Sequence, residues 1–237
     1  MIDYMDLHSH TMASGHAYST RNEMLEAAYQ KGMKFFAITE HAPAMPGSCH
    51  KTYFMNYRIL PRTYKEMTVL YGAELNIMDY QGTVDLPESI LKEMDVVLAS
   101  IHSPCFTSGT AKENTAAYLK AMTNPYVDII AHPDDSRFPI DYETLVKAAR
   151  EYHVLLEVNN SSLSPQSYRK SARENYQKLL EYCVKYQVPV VMDSDAHVDF
   201  MAGEHTFAIQ LLERLGFPEE LVLNGNSEMF CEYINLK

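Results

Sequence analysis

Cysteine is rare and scattered in this chain: Cys49, Cys105, Cys183 and Cys231 form no Cys-x-x-Cys pair. That excludes a zinc knuckle and a dithiol redox motif, and leaves reduced thiols of the kind a cytoplasmic protein carries. Basic residues are also few, with 20 Lys and Arg against 31 Asp and Glu and a formal net charge of −11. No broad basic surface is offered to nucleic acid or to an anionic membrane. A phosphorylated ligand would need positive charge concentrated locally, as several divalent cations in one pocket supply it. Long apolar runs are missing, and Met1-Ile2-Asp3-Tyr4-Met5-Asp6 opens acidic, without the basic start and apolar core of a signal peptide. The expectation is a cytoplasmic protein with no membrane contact. No Gly-x-Ser-x-Gly elbow or glycine-rich phosphate loop occurs, which argues against a serine hydrolase and a nucleotide-binding fold.

The 237 residues, 46% of them hydrophobic, suffice to bury a core without disulfides. Short β-like runs alternate with helix-like segments throughout, as in a parallel sheet with helical crossovers. Strands are expected to end near Leu7 and to span 35–38, 69–73, 96–100, 127–130, 154–158 and 188–192. Helices are expected from Thr20, where Thr20 and Glu23 have capping-box spacing, to Gly32, and over 111–122, 142–152, 172–186, 207–215 and 227–234. A small hairpin excursion fits 77–84, and a Pro- and aromatic-rich loop runs from Ala42 to Tyr57. With no repeat or linker, residues 1–237 read as a single domain of about seven βα units.

Histidine is where the chain is concentrated. His8, His10 and His16 fall within nine positions, and six of the seven expected strands are followed at once by a His, Asp or Glu. Parallel strands deliver their carboxyl ends to one face, so His8, His10, His16, His41, Glu74, His102, His132, Asp195 and His197 should converge. Seven imidazoles and two carboxylates are too many for one tetrahedral ion and suit two or three zinc-like ions. Of the other histidines, His153 reads as a surface or helix-end residue, and His205 has no strand-end position.

The ordered motifs DLHSHT with ASGHAYST, ITEH, YGAELN, IHSP, IIAHP, EVNNSS and DSDAH resemble the PHP (polymerase and histidinol phosphatase) domain family, in particular its stand-alone YcdX-type phosphatases. The resemblance spans essentially the whole chain. It implies a distorted TIM-like (βα)7 barrel binding three divalent metal ions at the carboxyl ends of the strands, with the nine residues above as ligands. It further implies that His8, His10, Glu74 and Asp195 hold one ion, that Glu74 bridges to a second held by His102 and His132, and that His16, His41 and His197 hold the third. Glu40 stands where many members have Asp, and Asp193 where Gly is frequent. Neither is an expected ligand, so these departures bear on metal preference.

Clustered cations about 3.5–4 Å apart suit phosphate ester hydrolysis, and the nucleophile is assigned to a metal-bound hydroxide held by Glu74, Asp195 and His10. Zinc fits the histidine-rich ligand set, with manganese or iron as alternatives. Arg58 and Arg62 would share one face if 57–64 is helical, and with His50 they are the expected substrate-binding residues; Arg137 is a weaker candidate. Tyr53, Phe54, Met55 and Tyr57 are candidate pocket walls. Asn159 and Asn160 either order ligands or cap a strand end. The expected activity is hydrolysis of small phosphomonoesters. Alternatives are a PHP-type nuclease on short nucleic acids, an amidohydrolase-type barrel, and a non-catalytic metal-binding regulatory module; oligomeric state is left open.

Overall fold

The computed structural model describes residues 1–234. Seven parallel strands form one sheet in the order β1 (Met5–Asp6), β2 (Phe35–His41), β4 (Met67–Asn76), β5 (Val96–Ser100), β6 (Ile129–Ile130), β7 (Leu155–Asn159) and β8 (Val190–Asp193), and the short β3 (Thr63–Tyr64) pairs antiparallel with β4. Past the ends of β1 and β8 the two edges meet: the Asp195 amide donates to His8 O at 2.9 Å and the His10 amide to Ala196 O at 2.8 Å. The sheet is thereby nearly closed into a TIM-like α/β barrel, as the alternation of strands and helices leads one to expect.

Around it lie α1 (Arg21–Gln30), α2 (Lys51–Met55), α3 (Glu88–Leu91), α4 (Ala111–Met122), α5 (Tyr142–Tyr152), α6 (Asn160–Leu163), α7 (Ala172–Tyr186), α8 (Thr206–Leu215) and α9 (Ser227–Tyr233). The capping box at Thr20 and Glu23 forms as expected, and Thr110 with Glu113 repeats it on α4. Apolar residues fall into two bodies. Met5, Leu7, Ala37, Leu70, Val96, Leu98, Ile129 and Leu155 pack with Leu223, Phe230 and Ile234, while a larger set that includes Leu25, Tyr71, Leu145 and Leu179 packs as the second. Asn224 draws the chain end against the barrel by donating to Met5 O at 2.8 Å and Met192 O at 2.7 Å.

Residues 57–64 are not a helix. A single 3-10 turn, Tyr57–Ile59, stops at Leu60, which is extended at φ −85, ψ 137. Pro61 forces this, because the residue before a proline is driven out of the α region and the proline itself lacks a donor. The chain then enters β3, so Arg58 and Arg62 do not share a helix face. The excursion at 77–84 does fold back, with an antiparallel bridge between Ile77 and Val84.

The barrel seam carries a buried ion pair that its sequence position did not announce. His205 is buried with Nδ1 2.8 Å from Asp3 Oδ2 and Nε2 3.6 Å from Asp6 Oδ1. Asp6 also accepts from Ser194 N at 3.0 Å, Ser194 Oγ at 2.6 Å and Gly203 N at 2.8 Å, tying β1 to the segment after β8. Burial opposes a charge on His205, yet the hydrogen bond to Asp3 and the nearby Asp6 carboxylate outweigh it and hold the imidazolium up to about 10, against an ordinary 6.5. A raised value means that this contribution to stability is complete below about pH 6.5 and fades as pH climbs through about 10. His205→Gln should lower unfolding stability at neutral pH by ~3–5 kcal/mol, the cost of leaving a buried partner uncompensated. Urea unfolding of both proteins at neutral and alkaline pH checks this: the deficit should shrink towards high pH, and a pH-independent difference would disprove the ion pair.

Candidate metal centre

Each of the nine expected ligands reaches the carboxyl end of the barrel. His8 and His10 follow β1, His41 ends β2, Glu74 lies late in β4 and pairs in register with His41, and His102, His132, Asp195 and His197 follow β5, β6 and β8. His16 arrives through Gly15, at φ +81, where a Cβ would meet Gly47 O at 2.1 Å. Only glycine allows that loop to seat so closely. His132 and Asp195 adopt left-handed backbone, φ +33 and +51, a conformation unfavourable for such residues that concentrates at functional sites.

Glu74 is the hub. Its Oε2 lies 3.4 Å from His8 Nε2, 3.5 Å from His10 Nε2 and 2.6 Å from His41 Nδ1, and its Oε1 lies 3.2 Å from His102 Nε2 and 2.7 Å from His132 Nε2. Asp195 Oδ1 approaches His10 Nε2 at 3.3 Å and His197 Nδ1 at 3.5 Å, and His197 Nε2 meets His16 Nε2 at 3.1 Å. Four overlapping groups of three ligand atoms result, each compact enough to hold an ion: His8, His10 and Glu74; His41, Glu74 and His102; His8, His132 and Asp195; His10, His41 and His197.

The hydrogen-bond partners on the far side of the rings assign the protons. His8 Nδ1 faces Glu157 Oε1 at 2.7 Å. His10 Nδ1 lies 3.1 Å from Ser14 Oγ, whose own proton goes to Glu40 Oε2 at 2.6 Å. His102 Nδ1 lies 2.8 Å from Asn76 Oδ1, because the Asn76 amide nitrogen donates to Asp85 at 2.7 Å. His197 Nδ1 faces Asp195 O at 3.0 Å. When neutral, each of these four rings thus donates from Nδ1 and turns a bare Nε2 lone pair inward. His8 and His10 then present lone pairs to each other at 3.0 Å, and His102 presents one to Glu74 Oε1 at 3.2 Å. His41 Nδ1 and Glu74 Oε2, both buried, lack any hydrogen-bond partner of acceptable geometry. Acceptors crowded against acceptors away from water are costly unless a cation sits among them, so the donor set fits divalent metal.

Charge reinforces the fit. Burial, followed by the nearby His41 and His197, holds His10 well below its ordinary value and His16 down to about 4. Burial also lowers His102. At His8 burial is outweighed by Glu157, Asp195 and Glu74, which raise it, so a proton competes for the place a cation would take. Burial likewise fails to neutralise the carboxylates: His102, His41 and His8 keep Glu74 well below its usual range, and His8, His10, His197 and Arg169 do the same for Asp195.

A cavity of about 980 Å³ opens over the cluster, with His16, His41, His102, His132, Asp195 and His197 on its floor and Arg137 and Arg169 in its wall. Arg58, Arg62 and His50 are not among its lining residues. Arg58 is exposed, and Arg62 is held 3.2 Å from Asp95, just before β5. His50 caps α2 by accepting from the Thr52 amide, beside a separate hollow of about 430 Å³. Phe54 and Tyr57 are buried packing, as is most of Tyr53. Asn159 both caps α6 and donates to Asp195 Oδ2 at 3.1 Å, and Asn160 caps α8 by accepting from the amides of Phe207 and Ala208. Glu40 supports the cluster from below through Thr11 and Ser14, and Asp193 accepts from the Leu7 amide at 2.6 Å.

Sequence reasoning missed Glu157 and Arg169. Glu157 is fully buried in β7 and joins His8 to the His132 amide, which donates to Oε2 at 2.6 Å. A carboxylate inside the apolar run Leu155-Leu156-Glu157-Val158 was the available signal. Arg169 donates to Ser162 Oγ at 2.8 Å and to Asp195 Oδ2 at 3.3 Å. It follows no strand, and nothing in the local pattern marks it.

A family model described as PHP domain matches residues 6–215. A probable phosphatase of Clostridium novyi is 43% identical over 233 residues, covering 98% of this chain and 95% of that protein. A probable phosphatase of Thermoanaerobacter pseudethanolicus is 43% identical over 234 residues with the same coverage. Among solved structures, histidinol phosphate phosphatase from Lactococcus lactis, complexed with zinc, L-histidinol and phosphate, aligns at TM-score 0.61 and 16% identity, over 92% of this chain and 95% of that one. A histidinol phosphatase from Listeria monocytogenes aligns at TM-score 0.60 and 16% identity, over 84% and 97%.

Glu157→Gln replaces one acceptor oxygen by a donor that must face either His8 Nδ1–H or the His132 amide. Zinc affinity, measured by competition with a chromogenic chelator, should fall about 10–100-fold. Affinity unchanged within twofold would mean that Glu157 does not fix the His8 tautomer.

Proposed function

The chain belongs to the PHP domain family, and on that premise we propose that it hydrolyses small phosphomonoesters at a three-metal centre. Its relatives at 40–43% identity over nearly their full length are named probable phosphatases, so a hydrolase acting on phosphoester bonds is the family-level activity. The observation that carries the metal-dependent reading is the pair of inward lone pairs of His8 and His10, 3.0 Å apart, beside the unpartnered Oε2 of Glu74.

In this reading His8, His10, Glu74 and Asp195 would hold one ion, Glu74 with His102 and His132 a second, and His16, His41 and His197 the third. Zinc suits the imidazole-rich set, and the Lactococcus lactis neighbour is a zinc complex. When bound, clustered divalent cations lower the pKa of water and neutralise charge on the attacking and leaving oxygens of a phosphoryl group. The chain's own residues supply the rest. Glu157, Ser14 and Asn76 keep rings from turning, and Glu40 holds Ser14. Arg169, fixed by Asp195 and Ser162 at the cavity wall, replaces Arg58 and Arg62 as the guanidinium that receives phosphoryl oxygen.

Elemental analysis of protein purified without added metal should give about three ions per chain, with p-nitrophenyl phosphate cleaved faster than bis-p-nitrophenyl phosphate. Diester preference would favour the nuclease reading, and one ion or none without turnover would sink the proposal. Glu74→Ala should remove at least one ion and reduce kcat by about 10³-fold or more, since it contacts five imidazoles. Near-normal turnover in that variant would disprove the bridge. Arg169→Ala should raise KM about 10–100-fold, with Arg169→Lys recovering part of it, whereas Arg58→Ala should leave KM as it was.

A further inference from the structure

The cavity is larger than phosphate recognition requires, and much of its wall is apolar. Phe200 is the informative residue. It lines the cavity yet is 72% exposed, and its ring has no aromatic or cationic partner among the described residues. Tyr168, the other exposed aromatic at the rim, already lies 5.1 Å from the Arg137 guanidinium and 5.6 Å from that of Arg169.

An exposed phenylalanine on a loose loop would mean little, but this backbone is held from both sides. The Asp199 amide donates to Ser19 Oγ at 2.9 Å, the Phe200 amide to Asp199 Oδ1 at 2.9 Å, and Lys31 Nζ donates to Phe200 O at 2.7 Å. The 3-10 turn Asp199–Met201 closes on itself through Met201 N to Val198 O at 3.0 Å. The ring is therefore presented on a fixed turn three residues beyond His197, with Met201 beside it in the cavity wall. Met45 and Pro46 line the cavity as well. They precede Gly47, whose carbonyl abuts Gly15, so this second apolar segment is anchored next to the His16 loop. Two apolar segments thus line the cavity next to the His16 and His197 pair.

Resting on the phosphatase reading above, we infer that the substrate is the phosphomonoester of an apolar, ring-bearing alcohol, and that Phe200 is the specificity-determining residue that selects it. A polyol would leave this shelf wet and its own hydroxyls without partners there. A ring laid on Phe200 removes both surfaces from water, and because the turn is already ordered little freedom is lost in doing so.

The test uses metal-loaded protein and compares 2-phenylethyl phosphate with ethyl phosphate, two esters whose alkoxides leave with comparable ease. It also compares calorimetric binding of their non-hydrolysable counterparts, 3-phenylpropylphosphonate and propylphosphonate. Wild type should favour the phenyl compound about tenfold in kcat/KM and in Kd. Phe200→Ala should bring both ratios to within about twofold, mainly through KM, and Phe200→Leu should keep an intermediate preference. Turnover of both esters with equal kcat/KM, or a preference that survives Phe200→Ala, overturns the shelf and leaves the phosphatase reading standing. Turnover of neither ester, with neither phosphonate bound, overturns the phosphatase reading itself.

Discussion

Within a few ångströms at one end of the barrel, Glu74 meets five imidazoles, and three of them, His8, His10 and His102, when neutral carry their hydrogen on the outward nitrogen and have none to offer it or one another. Lone pairs so placed repel, and burial removes the water that would relieve them. The arrangement persists because four rings of the cluster are held from behind: His8 by Glu157, His10 by Ser14, His102 by Asn76 and His197 by a backbone carbonyl. These outer partners are themselves held, Ser14 by Glu40 and Asn76 by Asp85. The upper part of the barrel is thus a polar framework built to keep acceptors facing one another, in contrast to the dry packing of Leu70, Leu98, Ile129 and Leu155.

The candidate metal site and the fold depend on the same residues. Asp195 shows this most directly: one carboxylate oxygen faces His10 while the other takes Arg169 and Asn159, and its amide closes the barrel seam at His8. Its left-handed backbone is tolerated because these contacts over-determine it. Arg169 is the one Arg or Lys side chain paired with the cluster's carboxylates among the described residues. In a chain with net charge −11, that guanidinium and the metals would provide the local attraction for an anionic substrate that the surface as a whole does not.

The barrel and its nine convergent residues were legible in the sequence because both follow from period and position. Parallel strands end on one face, and a His, Asp or Glu placed just past each end must meet the others whatever its separation along the chain. What escaped depended on contacts without a local pattern. Glu157 is one inward position among apolar neighbours, and its role exists only because His8 and the His132 amide arrive beside it. Arg169 sits in a loop between α6 and α7, where no periodicity says which way a side chain points. The spacing of four between Arg58 and Arg62 has meaning only in a helix, and Pro61 between them prevents one. His205 looked idle for a similar reason, since its partners Asp3 and Asp6 lie about two hundred residues away.

The seam between the two ends of the sheet also bears on how the chain is made. His8 and His10 belong to the first strand's end and Asp195 to the last, and the hydrogen bonds that shut the barrel run between these same residues. During synthesis the amino-terminal histidines emerge early and wait for a carboxylate nearly 190 positions later. Contacts of such high sequence separation form late, because the loop they close must first be ordered. A nascent or truncated chain therefore lacks a finished ligand set. Any loading with metal would coincide with completion of the barrel, and an unfinished polypeptide would have no complete pocket in which to trap a stray ion.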